Sequence, residues 1–300
     1  MSPPRKQFDP VDPRNSYPRP PFPSQPQGGT GSFLEMKPVP DHGEESYFGF
    51  GRMKGRRTLI TGGDSGIGRA VAIAFAREGA DVVISCLHPD SADAMSTLKL
   101  IEAANVRGKI IGADNSVERD CVRLVSEAAA FLNGLDVLVN NAGKQDTQEK
   151  IEDITTEQFV RTYEVNVFGT FWITKAALAH LEPGAVVINV TSVQAYDPSA
   201  HLLDYASTKF ALSGFTKALA KQMAPRGIRV NAVAPGPFWT ALQPSGGQTD
   251  EKVQHFGENS AFGRPGQPAE IAPAFVFLAT GESLYMTGET IGVTGGSPIA

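Results

Sequence analysis

The sequence predicts an α/β fold in which apolar strands alternate with helices. Residues 57–68 run from an apolar strand into a glycine-rich turn and then a helix pattern with Val71, Ile73, Ala74 and Phe75. Two more strand-then-helix units follow, at 80–86 with 91–106 and at 109–114 with 117–133. Further apolar strands are expected at 135–140, 185–190, 229–234 and 289–293, with a helix over 269–279. Alternation of this kind points to a parallel sheet covered by helices. At 300 residues and 41% hydrophobic composition, the chain has ample material for a core.

The first unit carries chemistry. Strand, glycine turn and helix N-terminus together make an anion site, because backbone N–H groups and the positive end of the helix dipole face a phosphate. Glycines allow the tight turn and close backbone approach. The candidates are Gly62, Asp64, Ser65, Gly66, Ile67 and Gly68. Their spacing is Thr-Gly-x-x-x-Gly-x-Gly, not the common Gly-x-Gly-x-x-Gly, and an ordinary glycine-rich strand–helix turn is the alternative. The context on both sides favours a nucleotide. In dinucleotide folds the tip of the second strand meets the adenosine ribose, where a carboxylate would repel a 2′-phosphate. Here the tip is Cys86, with no acidic residue and no arginine, and Ser85 and His88 are the polar candidates. This favours NADP, with NAD as the alternative; His88 stays open between that role and a solvated loop. Asp114 and Asn115 end the third strand, where a carboxylate can accept the adenine amino group. Asn141, Ala142 and Gly143 follow the fourth, small enough to let a cofactor lie on backbone.

Tyr205 and Lys209 lie four residues apart in a helical stretch, so about 400° of rotation brings both to one face. A free phenol titrates near pH 10, and an ammonium within about 4–6 Å favours the phenolate. Alone the pair is a common accident of helix faces.

Together, Thr61–Gly68, Asn140–Asn141–Ala142–Gly143, Asn166, Ser192, Tyr205–Lys209 and Pro235–Gly236 resemble the short-chain dehydrogenase/reductase family over about residues 55–296. Residues 191–196 and 201–205 are similar to its glucose/ribitol dehydrogenase-like branch. The resemblance implies a single Rossmann-type, doubly wound domain, with a seven-stranded parallel sheet in order 3-2-1-4-5-6-7 and helices on both faces. It implies hydride transfer between a nicotinamide cofactor and an alcohol or carbonyl compound such as a sugar, polyol, aldehyde or ketone. Tyr205 would be general acid or base, and Lys209 would lower its pKa and bond the nicotinamide ribose. Ser192 would steady the substrate oxygen, and Asn166, on an expected helix, would position a water. Pro235, Gly236, Phe238 and Thr240 would cover the nicotinamide. Gln194 joins Ser192 and Tyr205 as a substrate contact, and Lys144, Gln145, Tyr196, His201 and Trp239 as pocket wall. Specificity is expected in loops 144–152, 193–203 and 237–262. A homotetramer built on the Tyr205 helix and the last strand also follows. A cofactor-binding sensor without catalysis is the competing reading; its usual mark, a broken tetrad, is missing.

A net charge of −5 offers no basic field for nucleic acid. No apolar run approaches the ~20 residues of a membrane span. Cys86 and Cys121 do not make a disulfide framework and read as buried thiols in a reducing, cytoplasmic setting. No metal site is expected. Arg5 and Lys6 are followed by prolines rather than the apolar core of a signal peptide.

Residues 1–54 differ in kind from the catalytic domain expected at 55–300. Eleven of the 22 prolines fall within the first forty positions, which favours extended conformations. The segment is either a disordered tail or an ordered arm anchored by Phe8, Tyr17, Phe22, Phe33, Leu34 and Tyr47 and packing on a neighbouring subunit.

Overall fold

The computed structural model describes residues 7–299. Arg5 and Lys6, on which the signal-peptide argument rests, lie outside them. Strands and helices alternate as β1 (Arg57–Thr61), α1 (Gly66–Arg77), β2 (Asp81–Cys86), α2 (Ala92–Ala103), β3 (Gly108–Gly112), α3 (Glu118–Leu132) and β4 (Leu135–Asn140). Then come α4 (Thr156–Tyr163), α5 (Gly169–Ala177), β5 (Leu181–Val190), α6 (Leu203–Met223), β6 (Arg229–Pro235), α7 (Asp250–Gln254), α8 (Pro268–Ala279) and β7 (Thr290–Val293). All seven strands pair in parallel in the order 3-2-1-4-5-6-7, as the family resemblance implies.

Side chains alternate between the faces of a strand, and this sheet is buried on both. Ile60, Val82, Ile84, Val137, Val139, Val186 and Ile188 enter one core with α1 and α8. Their neighbours Leu59, Val83, Leu138 and Val187 enter the other, against α3, α5 and α6. That two-sided demand explains why the strands read as continuous apolar runs.

The helix ends follow local chemistry. The Ser91 side chain caps α2 by accepting from Ala94 N, and Asn133 closes α3 in the left-handed conformation. Among the described residues no helix is long and apolar enough to cross a membrane.

Residues 7–54 trace an extended path over their own chain. Phe22, Phe33 and Met36 form a third core with Trp239, Ala241 and Val253. The Trp239 indole donates to Pro38 O (2.8 Å), and its ring lies 4.2 Å from that of Phe22. Arg69 of α1 stacks on Phe33 (4.3 Å to the centroid) and pairs with Glu44. At the arm's end, Tyr47 and Arg52 both donate to the fully buried Glu78 carboxylate. Of the expected anchors, Phe22, Phe33 and Tyr47 are buried, whereas Phe8 and Leu34 are exposed.

Trp239→Ala removes the centre of the third core. Such truncations cost about 3–5 kcal/mol. Chemical denaturation should register that loss, and limited proteolysis should cut faster within residues 7–40; a variant unchanged in both would show that the ring does not hold the arm.

Candidate active site

The C-terminal ends of β1, β2, β4, β5 and β6 open into one cavity of about 1130 Å³. This is where an open parallel α/β sheet binds ligands, at the point where strand order reverses. On its floor the turn after β1 meets the end of β4. Gly62 takes φ +61°, and a Cβ on Gly68 would sit 1.9 Å from Gly62 O, so α1 approaches β1 only because no side chain intervenes. Asn141 ties the two strand ends together. Its side-chain amide donates to Thr61 O (3.0 Å) and Gly62 O (2.9 Å). The backbone amides of Asn141 and Ala142 in turn donate to the Thr61 hydroxyl.

Of the expected cofactor residues, Gly62, Asp64, Ser65, Gly66, Ile67, Ser85, His88, Asp114, Asn115, Asn141, Ala142, Gly143, Pro235, Gly236, Phe238 and Thr240 line this cavity. Gly68 lies beneath it, in contact with Gly62 O. Burial raises the Asp64 carboxyl pKa, reinforced by neighbouring Asp93. Asp114 is already engaged: its oxygens accept from Ser116 and from Arg161 (2.8 Å). Cys86 is buried, and burial pushes its thiol up to about 12, so it is inert at neutral pH.

Tyr205 and Lys209 share one face of α6 and are both buried, at 8% and 3% exposure. The ammonium lies 5.4 Å from the tyrosine ring centroid and donates to Val190 O at 2.9 Å. Ser192, just past the end of β5, lies close enough to the Tyr205 phenol for its hydroxyl to draw the phenol pKa down, and it caps the short turn at Val193–Ala195.

Asn166 lies in a π-helical turn, Glu164–Phe168, rather than in regular α-helix. Fully buried, it bonds both backbone groups of Lys144 and the Thr208 hydroxyl. Thr208 in turn donates to Tyr205 O. The four residues of the expected tetrad therefore sit around one end of the cavity, three in its wall and Asn166 just behind it.

Burial, not the lysine, sets the tyrosine's resting pKa here. Desolvation pushes the Tyr205 phenol up to about 12, with the Ser192 hydroxyl pulling the other way. The same desolvation lowers Lys209 to about 8. Taking both groups out of water penalises both charged forms.

Trp239, expected in the pocket wall, is fully buried in the arm's core instead, and Tyr196 also lies outside the lining. Lys144, Gln145, Gln194 and His201 do line the cavity. The Gln194 amide is turned into its own loop, bonding Ser199 through both its oxygen and its nitrogen. Sequence reasoning missed Arg161, Thr208 and the arm residues Gly29–Ser32, which also line or support the site. Only the glycine cluster of the arm could have signalled the last.

A nicotinamide dinucleotide fits these residues. Lys209 is a buried cation with three donors, only one of which meets an acceptor among the described residues. Nearby, a Cβ on Gly143 would stand 3.6 Å from its Nζ, so the bare backbone there leaves room beside the ammonium.

The doubly wound sheet, the glycine crevice and the Tyr–Lys pair together define a class, and the chain belongs to it: the short-chain dehydrogenase/reductase family. A family model described as enoyl-(acyl carrier protein) reductase matches residues 62–297. The chain is 51% identical to an uncharacterised oxidoreductase, YghA, of Escherichia coli strain K12, over 95% of this chain and 97% of the relative. It is 41% identical to a glucose and ribitol dehydrogenase of Daucus carota, over 87% and 91%. A short-chain dehydrogenase from Burkholderia cenocepacia, solved in complex with NADP, superposes with a TM-score of 0.76 at 32% identity, covering 82% of this chain and 99% of that one.

Below about pH 8 the buried Lys209 carries its proton at a cost. The unfolded lysine titrates at its ordinary 10.5 and the folded one at about 8. Between those values the unfolded chain binds more protons, so stability rises with pH. The penalty, about 3 kcal/mol, is full below pH 8 and relieved towards 10.5. Lys209→Met should therefore melt several degrees above the parent at pH 7, and the gap should close by pH 10.5 in calorimetry; a variant no more stable at pH 7 contradicts the assignment.

Proposed function

We propose that this chain is an NADP(H)-preferring alcohol dehydrogenase or carbonyl reductase acting on a polar substrate such as a sugar, polyol, aldehyde or ketone. The buried Tyr205–Lys209 pair beside Ser192, at the mouth of a glycine-built crevice, carries this reading. The bound cofactor supplies or accepts the hydride. Tyr205 donates its proton to the carbonyl oxygen during reduction and recovers it during oxidation. The resting phenol keeps its proton, as the acid requires, and a cation close to the ring lowers the cost of the phenolate that remains. Ser192 donates to the same oxygen and favours charge building there. Lys209 offers its remaining N–H donors to the nicotinamide ribose. Asn166 holds the Lys144 carbonyl, against which a water linking Lys209 to solvent can rest.

Preference for NADP is supported by the lack of a carboxylate at the Cys86 tip and by the NADP-bound relative; NAD remains the alternative. A polar substrate is supported by a lining that includes Lys144, Gln145, His201, Gln248 and Lys252. A homotetramer belongs to the same reading: Phe210 on α6, and Leu284 and Tyr285 just before β7, are large exposed apolar side chains. So does a cytoplasmic setting, which suits two buried free thiols.

Tyr205→Phe should lower kcat by roughly 10²–10⁴ and leave the NADPH dissociation constant within about twofold. Nicotinamide absorbance with glucose, ribitol and small aldehydes reads the first, and NADPH fluorescence titration the second. A fully active Phe variant would overturn the assignment.

A further inference from the structure

The N-terminal arm enters the dinucleotide cavity. Gly29, Thr30, Gly31 and Ser32 stand in its wall together with Ser65, Ser85 and His88. The segment is fastened to three sides of the cleft. Towards α2, the Asp93 carboxylate accepts from the Ser32 hydroxyl (2.8 Å) and from Phe33 N (2.9 Å). Towards α1, Phe33 lies under the Arg69 guanidinium. Towards the loop after β6, Gln27 N donates to Pro244 O (2.9 Å). There, a Cβ on Gly31 would come within 2.9 Å of Ala241 O. The arm thus spans from the adenosine side of the cleft to its nicotinamide side.

The charges around it are the wrong ones for a phosphate. At the β2 tip and the start of α2 the cavity is lined by Ser85, Cys86, Leu87, His88 and Ser91 with the carboxylates Asp64 and Asp93. The nearest arginine of the lining, Arg161, is paired with Asp114. Neutral donors must therefore do the work that an arginine does elsewhere. The arm brings such donors. Gly31 N and Ser32 N are used within the turn, on Gly28 O and on the Gln27 side chain. The amides of Gly29 and Thr30 and the Thr30 hydroxyl have no partner among the described residues.

We infer that the turn Gly28–Ser32 is a phosphate-recognition strap of the dinucleotide site, supplied by the arm rather than by the Rossmann-type domain. This rests on the nicotinamide reading of that site. The turn has two left-handed residues (Gly29 φ +63°, Gly31 φ +70°) and keeps two successive amides, Gly29 N and Thr30 N, unengaged at the cavity wall; successive backbone N–H groups in such turns are the kind that hold anionic oxygens. The oxygens belong either to the 2′-phosphate or to the pyrophosphate, and the cofactor pair tells them apart.

The test is fluorescence titration of NADPH and of NADH into the full-length protein and its Thr30→Ala, Thr30→Glu and Gly31→Val variants. Thr30 is exposed, so its variants should keep the parent melting temperature. Loss of one hydrogen bond to a charged group weakens binding by roughly tenfold, and Thr30→Glu should weaken it further. Gly31→Val should do the same by dislodging the turn from Ala241. Weakening for NADPH alone assigns the strap to the 2′-phosphate; equal weakening for NADPH and NADH assigns it to the pyrophosphate. Variants that bind both dinucleotides as the parent does overturn the strap alone. A parent that binds neither overturns the strap together with the reading beneath it.

Discussion

The arrangement depends on one buried ammonium. Lys209 is almost wholly removed from water, has no carboxylate partner among the described residues, and rests on the single carbonyl of Val190. Such a cation is expensive to keep. It is held because α6 is a long helix packed against β6, and because Val190 ends the strand that leads to Ser192. The helix presents the lysine and the tyrosine from one face, and the strand presents the serine and the carbonyl that steadies the lysine. Loss of either element would leave the other without its chemistry.

A second constraint is the near-absence of side chains where strands and helices converge. Gly68 against Gly62, and Asn141 bracing both strand ends, bring α1 closer to β1 than any larger residue would permit. Deeper in the sheet, Asn140 donates to Asn189 and Thr174, and Asn189 donates to Thr216. This buried polar line joins β4 and β5 to α5 and α6, and it fixes their register below the cavity floor. Buried amides of this kind tolerate little rearrangement, because each broken bond leaves an unsatisfied group in apolar surroundings.

Much of this was legible in the sequence because it is local. The crevice is contained in Thr61–Gly68, the Tyr205–Lys209 spacing in one helical turn, and the β4 end in Asn140–Gly143. What escaped is long-range. Trp239 stands between two cavity residues and was expected beside them, yet its ring faces an arm more than 200 positions away in sequence. Spacing places Tyr205 and Lys209 together, but their protonation depends on how deeply both are buried, which no local pattern reports. The π-turn that carries Asn166 has no distinctive residues; its helical periodicity simply slips by one place.

The segment 238–240 serves several surfaces: Phe238 and Thr240 contribute to the cavity wall, Phe238 also belongs to the core beside α1 and α8, and Trp239 packs into the arm's core. The wall expected to cover the nicotinamide therefore borrows its rigidity from a proline-rich stretch that, among its described residues, contributes no strand and no long helix. Substitution at Phe22, Phe33 or Met36, none of which lines the cavity, would alter the support behind that wall while leaving every lining residue as it is.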